Sequence, residues 1–376
     1  MIKTYLKRFI TIVSLIVLPL SICVFTQNYA DNDSQRLMGF YQEKENSLDV
    51  VYIGASDVYN AFSPALAYKE YGYTSYPYAF GSANLFLFKS QINEILNYQS
   101  PSIIVVDLNA AISLERSFYD TIYDSDSNEF DIVLRRFTDN IPFSENKFNT
   151  ISQFGFNDDK LSYYFPFIMH HGSINCINST KEKISQINRG FTYLKGINSS
   201  NHQLDNASLY DIKDNYEQQA IFKEDENEFR HFLEYCQSLN CKILFTKIPH
   251  RIVNEAKYNR FLKGNYLCDI VKEYGFDYLN FDHNFEEIGL NVNDDFADDG
   301  HLNADGQRKF TFYFSKLLTE KYLSNQTIQN TENIDRWNRS SQYIEEFYNY
   351  YDELTEEVSL NETSSLIEIL SKRLEK

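Results

Sequence analysis

The sequence SLDVVYI at residues 47–53 leads through Gly54 to Ser56. A short apolar run bounded by a glycine predicts a buried β-strand, and we expect a loop directly after it. The run IIVVDL at residues 103–108 is apolar almost without interruption, which is typical of strands covered on both faces of a parallel sheet. These two runs indicate a central sheet enclosed by helices.

Strand-like and helix-like segments alternate around these two runs. Further strands are predicted at residues 73–79, 242–248 and 277–281. Helices with an apolar stripe or recognisable end signals are predicted at residues 63–70, 84–98, 225–239, 258–274 and 305–322. Because strands that alternate with helices form parallel sheets, we predict an α/β fold, a three-layer sandwich with a central parallel sheet.

The chain divides into a main domain with additions at both ends. The main domain is expected at residues 47–324, and the strand and helix alternation weakens between residues 110 and 224, which predicts an insertion or lid. The additions are an N-terminal segment at residues 1–29, a linker at 30–46 and a helical extension at 325–376. Within that extension, helices are predicted at residues 341–354 and 364–374.

The N-terminal segment has the pattern of a membrane anchor. Lys3, Lys7 and Arg8 precede an apolar run from Phe9 to Phe25. Such a run spans a bilayer, and positive charge on its N-terminal side places the rest of the chain outside the cell. A cleaved signal with Ala30 at the cut site is the competing interpretation. We favour a retained transmembrane helix because the apolar run exceeds the usual length of the apolar core of a signal peptide, and Asn28 is a poor residue at the second small position of a cleavage site.

Charge and cysteine spacing argue against several classes of partner. The formal net charge of −18, with no run of Lys or Arg, argues against a nucleic-acid partner. No glycine-rich phosphate loop and no Cys and His spacing typical of metal sites occur, so neither a cofactor nor a metal is predicted. Cys236 and Cys241 either form a disulfide bond or remain free thiols, and both interpretations are open.

Ser56 and His301 are the candidate catalytic pair. A serine at the carboxyl end of a parallel strand faces the crevice where α/β sheets bind ligands, but its hydroxyl needs a base. His301 is that base, and Asp298, three residues earlier, is suited to orient its ring. Asp299 and Asp295 are weaker alternatives to Asp298. Taken singly, Ser56 is more typical of a turn and residues 298–300 of an acidic loop.

The other histidines lack this context. His250 follows a predicted strand and Pro249 and has access to the same crevice, although a surface position is preferred. The remaining ones are His170, His171, His202, His231 and His283.

Residues 54–59 (GASDVY) and 298–303 (DDGHLN) resemble the nucleophile block and the Asp-x-x-His block of the SGNH or GDSL hydrolases. The resemblance covers roughly residues 47–322 and is strongest to the membrane-anchored bacterial branch that includes the D-alanyl transfer protein DltD and alginate O-acetylation proteins. It implies a flavodoxin-like fold with Ser56, Asp298 and His301 as catalytic triad.

The resemblance also implies three oxyanion donors. They are the backbone N–H groups of Ser56 and Gly81 and the side-chain amide of Asn109. The family's Gly-x-Asn-Asp is here the sequence DLNA at residues 107–110, so Asn84 is an alternative to Asn109.

The function implied by the resemblance is that of an outward-facing O-acyl esterase or O-acyltransferase at a bacterial cell membrane. The expected substrate is a cell-envelope polysaccharide or a teichoic-acid-like polymer, and a multi-spanning membrane acyltransferase is the expected partner by analogy. The alternative is a non-catalytic assembly or carrier-binding protein that keeps the fold and the crevice.

Overall fold

The computed structural model describes residues 2–25, 32–124, 128–154, 160–166, 168, 192–204, 210, 212, 214–323, 331–361 and 364–375. The described strands are β1 (Val50–Ile53), β2 (Ser75–Pro77), β3 (Ile103–Asp107), β4 (Asn198–Ser200), β5 (Lys242–Lys247), β6 (Asp277–Asn280) and β7 (Ser359–Asn361).

The described α-helices are α1 (Ile2–Phe25), α2 (Asn32–Phe40), α3 (Ser56–Ala61), α4 (Pro64–Tyr71), α5 (Phe88–Tyr98), α6 (Phe118–Tyr123), α7 (Glu129–Thr138), α8 (Glu145–Phe154), α9 (Lys160–Tyr164), α10 (Lys223–Gln237), α11 (Glu255–Glu273), α12 (Phe285–Ile288), α13 (Ala304–Lys321), α14 (Thr331–Asp352) and α15 (Ser364–Leu374). Short 3₁₀ turns cover Leu85–Leu87, Leu108–Ala111 and Phe281–His283.

Five strands form one parallel sheet in the order β2-β1-β3-β5-β6. Val50 of β1 pairs with Ser75 on one side and with Ile103 on the other. This arrangement confirms the prediction of an α/β fold around a central parallel sheet.

Both faces of the sheet carry an apolar cluster. Successive side chains of a strand point to opposite faces, so Val51 belongs to one buried cluster and Val50 to the other. On the first face the sheet packs against apolar side chains of α5, α7, α10 and α11. On the second face it packs against α3 and α13. Helices on both faces explain why β1, and β3 up to its last residue Asp107, are apolar.

The expected loop after β1 is wrong. Helix α3 begins at Ser56, only two residues beyond Gly54. Gly54 has a φ of +150°, a backbone conformation that side-chain-bearing residues rarely adopt, and this turn leads directly into the helix. The predicted helix at residues 258–274 begins earlier, at Glu255, because the Asn254 side chain accepts a hydrogen bond from the Lys257 N–H and caps it.

The described part of the insertion belongs to the main core. Phe130, Leu134 and Phe137 of α7 are buried in the same cluster as the first face of the sheet. Strand β4, near the end of the insertion, pairs antiparallel with β7 of the C-terminal extension. His170, His171 and Cys176 lie outside the described residues.

Segments outside the predicted main domain are also packed against it. Leu37 and Phe40 of α2, which lies in the predicted linker, are buried in the core. Helix α14 of the extension begins at Thr331, ten residues before its predicted start, and buries Trp337 completely. The extension and the linker therefore contribute to the core of this fold.

The N-terminal segment forms helix α1, in which Phe9, Leu15 and Leu18 are exposed. Within the ranges described above, no helix meets the combined length and hydropathy of a membrane span. Residues 26–31, which include Ala30, lie outside the described part of the chain. The retained anchor stays a prediction.

Cys236 and Cys241 are free thiols, and so is Cys268. Burial raises the pKa of Cys241 to about 11, so this thiol is protonated at neutral pH. The disulfide interpretation therefore has no support in the described structure.

Candidate active site

The turn from β1 into α3 places Ser56 at the carboxyl end of the sheet. A Cβ at position 54 would lie 2.8 Å from Val58 Cγ2 and 3.0 Å from Asp107 Cβ, so only glycine fits this turn. Ser56 is the first residue of α3, and its N–H therefore has no acceptor within the helix. Among the described residues this N–H has no acceptor, and it lies next to the partly exposed hydroxyl of the same residue.

A short hairpin before α13 positions His301. Phe296 and Leu302 form an isolated antiparallel bridge, and the Ala297 N–H donates to the His301 carbonyl at 2.9 Å. Asn303 then caps α13, because its side chain accepts hydrogen bonds from the N–H groups of the first turn. The hairpin is fixed at both ends.

The structure brings Ser56, His301 and Asp298 into one hydrogen-bonded chain. His301 Nε2 lies 2.7 Å from Ser56 Oγ, and His301 Nδ1 lies 2.7 Å from Asp298 Oδ2. The other oxygen of Asp298 accepts the N–H groups of Gly300 at 2.7 Å and of His301 at 3.0 Å. With the Nδ1 proton donated to Asp298, Nε2 is the free acceptor that faces the serine hydroxyl.

The weaker alternatives to Asp298 have other partners. Asp295 accepts hydrogen bonds from Lys309 Nζ at 2.7 and 2.9 Å, and Asp299 Oδ1 lies 3.6 Å from Arg251. Among the described residues, neither carboxylate forms a hydrogen bond with His301, whereas Asp298 forms two.

The protonation of Asp298 and His301 follows from their surroundings. Burial acts to raise the pKa of Asp298, but the hydrogen bond and charge of His301 lower it to about 2. Burial acts to lower the pKa of His301, but the hydrogen bond to Asp298 and the charges of Asp57 and Asp298 raise it above its ordinary value. An ionised carboxylate therefore stabilises an imidazolium at this position, as a serine nucleophile requires.

His250 is buried, so the preferred surface position is wrong. Its Nε2 lies 2.5 Å from Oδ1 of Asp57, and the two side chains are 6% and 11% exposed. In the turn after β5, the backbone N–H of His250 donates to Asp282 Oδ1 at 3.1 Å, and the ring points inward. His250 therefore lies in the crevice beside the candidate triad.

The Asp57 and His250 pair has a defined charge state. Burial lowers the pKa of His250 to about 4, so its ring is neutral at pH 7. Burial acts to raise the pKa of Asp57, but His250, His301 and Arg260 together lower it well below its ordinary value. The neutral ring donates to an ionised carboxylate one residue after Ser56, and that charge in turn favours protonation of His301.

The proposed oxyanion donors have other partners in this structure. The Gly81 N–H donates to Asp33 Oδ2 at 2.9 Å, and Asn109 Nδ2 donates to the Ile248 carbonyl at 2.9 Å. The amide oxygen of Asn84 accepts the Phe86 N–H at 3.1 Å. Gly81, Asn109 and Asn84 as oxyanion donors all stay predictions.

Sequence reasoning missed two of these features. Asp57 follows the nucleophile and His250 follows a strand, so both positions were visible as residues at the carboxyl ends of parallel strands. The hydrogen bond between them joins residues 193 positions apart, and no sequence pattern indicates it. The contact of Asp33 with Gly81 arises from a helix in what the sequence presents as a linker.

Within the described ranges, no group of three or more His, Cys, Asp or Glu side chains is arranged to hold a metal ion.

A scan against protein-family models found no match to the chain. A search of curated proteins also found none.

Proposed function

We propose that this chain is a serine O-acyl esterase or O-acyltransferase with a flavodoxin-like SGNH-hydrolase fold, acting outside the cell on an envelope or exported glycopolymer. The hydrogen-bonded chain from Ser56 through His301 to Asp298 carries the proposal. Nucleophile, base and orienting carboxylate at these distances are the arrangement that acyl transfer through a serine requires.

In the first half-reaction, Ser56 Oγ attacks the acyl carbonyl carbon while His301 Nε2 takes the hydroxyl proton. The tetrahedral intermediate collapses, the ester C–O bond breaks, and His301 returns the proton to the leaving alcohol oxygen. The acyl group is then esterified to Ser56.

In the second half-reaction, water or a sugar hydroxyl attacks the acyl-serine. His301 takes the proton of this nucleophile and gives it to Ser56 Oγ as the acyl-enzyme bond breaks. The attacking group alone decides between hydrolysis and transfer. Asp298 keeps its charge throughout, since its pKa is about 2, and stabilises the imidazolium in both halves.

The developing oxyanion needs donors beside Ser56. The Ser56 N–H at the start of α3 is one. The Gly81 N–H and the Asn109 amide are proposed from the family resemblance. To act as donors, Gly81 would have to break its hydrogen bond to Asp33, and Asn109 its hydrogen bond to the Ile248 carbonyl. Asn84 is the alternative side-chain donor, because its amide nitrogen has no hydrogen-bond partner among the described residues.

The proposed setting is the outer side of a bacterial cell membrane. Helix α1 would hold the chain at the bilayer through its apolar side chains, with the basic residues before them on the cytoplasmic side. A multi-spanning membrane acyltransferase is the proposed acyl supplier, by analogy with the anchored proteins that the sequence resembles.

The test is covalent labelling of the full chain in detergent with a fluorophosphonate probe, which reacts with activated serines. We expect Ser56→Ala to abolish labelling and His301→Ala to reduce it at least about a hundredfold, because the hydroxyl loses its base. Matched controls are Ser238→Ala and His231→Ala, since both side chains lie on the surface of α10 or its end, and these should label normally.

Labelling that persists in Ser56→Ala would place the nucleophile elsewhere. A folded wild-type chain that does not label would instead favour the non-catalytic assembly or carrier-binding function. Fluorescence of the single tryptophan, which is buried, checks that each variant is folded.

A further inference from the structure

A cleft of about 600 Å³ is lined in part by Arg260, whose charge acts on Asp57, the residue after Ser56. Part of its polar lining comes from the segment after β2, helix α7 and helix α11. The residues that matter are Ser82, Asn84, Arg136 and Arg260. We call this the arginine cleft.

Arg260 lines the inner part of the arginine cleft. Its Nη1 donates to the Asn109 carbonyl at 2.8 Å, and no carboxylate of the described residues lies within ion-pair distance of its guanidinium. Burial lowers the pKa of Arg260. The charges of carboxylates act to raise it, but their effect is smaller than that of burial. A guanidinium taken out of water without an ionic partner costs free energy, which an anionic ligand would recover.

Three carboxylates act on Arg260 through their charge, and none of them is a free counter-ion. They are Asp57, Asp107 and Asp282. Asp57 binds His250, and Asp282 forms an ion pair with Lys247. Burial raises the pKa of Asp107 well above its ordinary value, so this side chain does not supply a full negative charge.

A second guanidinium faces the cleft from α7. Arg136 Nη1 donates to the Gly81 carbonyl at 2.9 Å and to Ser82 Oγ at 3.4 Å. Its nearest carboxylate is Asp33, 3.9 Å from Nε and bound to the Gly81 N–H. Arg136 therefore retains donors for a ligand.

Helix α11 carries two more cations, Lys257 and Lys263, three residues before and after Arg260, and both interact with its charge although neither lines the cleft. Burial lowers the pKa of Lys257 and of Lys263, and the charge of Arg260 lowers both further. Lys257 Nζ would lie 3.1 Å from a Cβ at Gly300, beside the triad hairpin. An anion bound at Arg260 would offset part of the mutual repulsion among these three groups.

The negative groups at the cleft do not cancel these cations. Glu115 and Glu129 also line it, but both are exposed at its mouth, where water screens them. Arg116 is paired with Asp124 at 2.9 Å. In a chain with a net charge of −18, a recessed cationic cleft concentrates anions at one place.

We propose that the arginine cleft binds a phosphate or carboxylate group of the substrate, with Arg260 as the main ligand and Arg136 as the second. This inference rests on the proposed function and names its substrate class, an anionic polymer or carrier whose ester is presented to Ser56. The neighbourhood supports it, since Arg260 donates to the carbonyl of Asn109, two residues after β3, and its charge reaches Asp57, next to Ser56.

The test is isothermal titration calorimetry of the full chain with inorganic phosphate and, in a separate arm, with glucuronate. We expect binding in at least one arm that weakens about tenfold or more in Arg260→Gln and by a smaller factor in Arg136→Gln. Tighter binding in the phosphate arm assigns a phosphate-bearing substrate, and tighter binding in the glucuronate arm a carboxylate-bearing one. Arg230→Gln is the matched control, because it removes a guanidinium of α10 that is paired with Glu226 on the same helix and with Glu273 of α11. The affinity of this variant should be unchanged.

Two further variants separate this inference from folding and from catalysis. Arg260→Lys keeps the charge and should retain part of the affinity, which a folding defect would not restore. Ser56→Ala should bind the anion like the wild type, since the serine is not a ligand. Equal affinity in Arg260→Gln and wild type, or no binding in either arm, overturns the inference even if fluorophosphonate labelling succeeds. Labelling that fails while Arg260-dependent binding persists overturns the proposed function alone.

Discussion

At the scale of single residues, His301 is held between a hydroxyl and a carboxylate. Nδ1 lies 2.7 Å from Asp298, whose side chain is 57% exposed, so water partly screens that charge. Asp57, buried on the other side of Ser56, adds a second negative charge that favours the imidazolium. Two carboxylates of different burial thus set the basicity of one imidazole.

A pH profile follows from this arrangement. His301 acts as a base only when neutral, and its pKa is raised above the ordinary 6.5, so kcat/KM for 4-nitrophenyl acetate should rise with pH through a midpoint above 6.5. Asp298→Asn removes the largest influence that raises this pKa. The midpoint should therefore move to lower pH, and kcat/KM should fall about a hundredfold.

Asp299→Asn is the control for this profile, because Asp299 lies next to Asp298 in sequence but faces Arg251. Its midpoint and rate should match the wild type. A midpoint that stays in place in Asp298→Asn would show that Asp298 does not hold the ring.

The residues of the candidate triad could be found in the sequence because each stands in a short motif with a fixed spacing. The Asp57 and His250 pair could not, since no local pattern joins residues in two loops of different strands. The same holds for Arg260, whose lack of a carboxylate partner is visible only when its neighbours are known. Burial decides the charge of such groups, and sequence gives burial poorly.

At the scale of elements, the triad hairpin depends on the first turn of α13. A Cβ on Gly306 would lie 2.2 Å from the carbonyl oxygen of Asp295. This close packing holds the start of the hairpin against the helix, and Asn303 N–H donates to the same carbonyl at 3.1 Å. The sequence predicted a helix start at this point, yet not the backbone contact that makes glycine necessary.

Gly306→Ala should therefore disturb both stability and the site. The methyl group meets backbone that has no rotamer to change, so we expect a loss of about 2 to 3 kcal/mol in the free energy of unfolding. The hairpin must shift, and fluorophosphonate labelling should fall at least about tenfold, because small displacements of a catalytic group are costly.

Gly275→Ala is the matched comparison for Gly306→Ala. Gly275 has a φ of +78° with nothing within 4 Å of an added Cβ. Strain alone should then cost about 1 kcal/mol and leave labelling unchanged. Urea denaturation and labelling of both variants provide the measurements. Equal labelling in the two variants would mean that the hairpin does not depend on this packing.

At the scale of the whole molecule, the C-terminal extension forms part of the fold. Ile344, Phe347 and Tyr348 of α14 are buried in one cluster with Ala65 and Leu66 of α4. An apolar stripe in the sequence predicted a helix with one buried face, although it could not identify the partner. That partner lies more than 250 positions earlier, and the pairing of β4 with β7 ties the same extension to the insertion.

The single tryptophan reports on this docking. Trp337 is fully buried against Tyr68 of α4, with ring centroids 5.1 Å apart. If the extension and the α/β domain form one cooperative unit, Trp fluorescence and far-UV circular dichroism should give the same midpoint in urea.

Phe347→Ala sharpens this prediction, because it removes a fully buried ring from the interface between α14 and α4. It should lower the free energy of unfolding by about 3 to 5 kcal/mol and shift both midpoints together. Ile132→Ala, at a side chain that is 53% exposed, should shift neither. A fluorescence change in Phe347→Ala at lower urea than the circular dichroism change would show an extension that detaches first. The candidate site would then be coupled to the C-terminal extension only weakly, whereas coincident transitions make the extension a determinant of the site's stability.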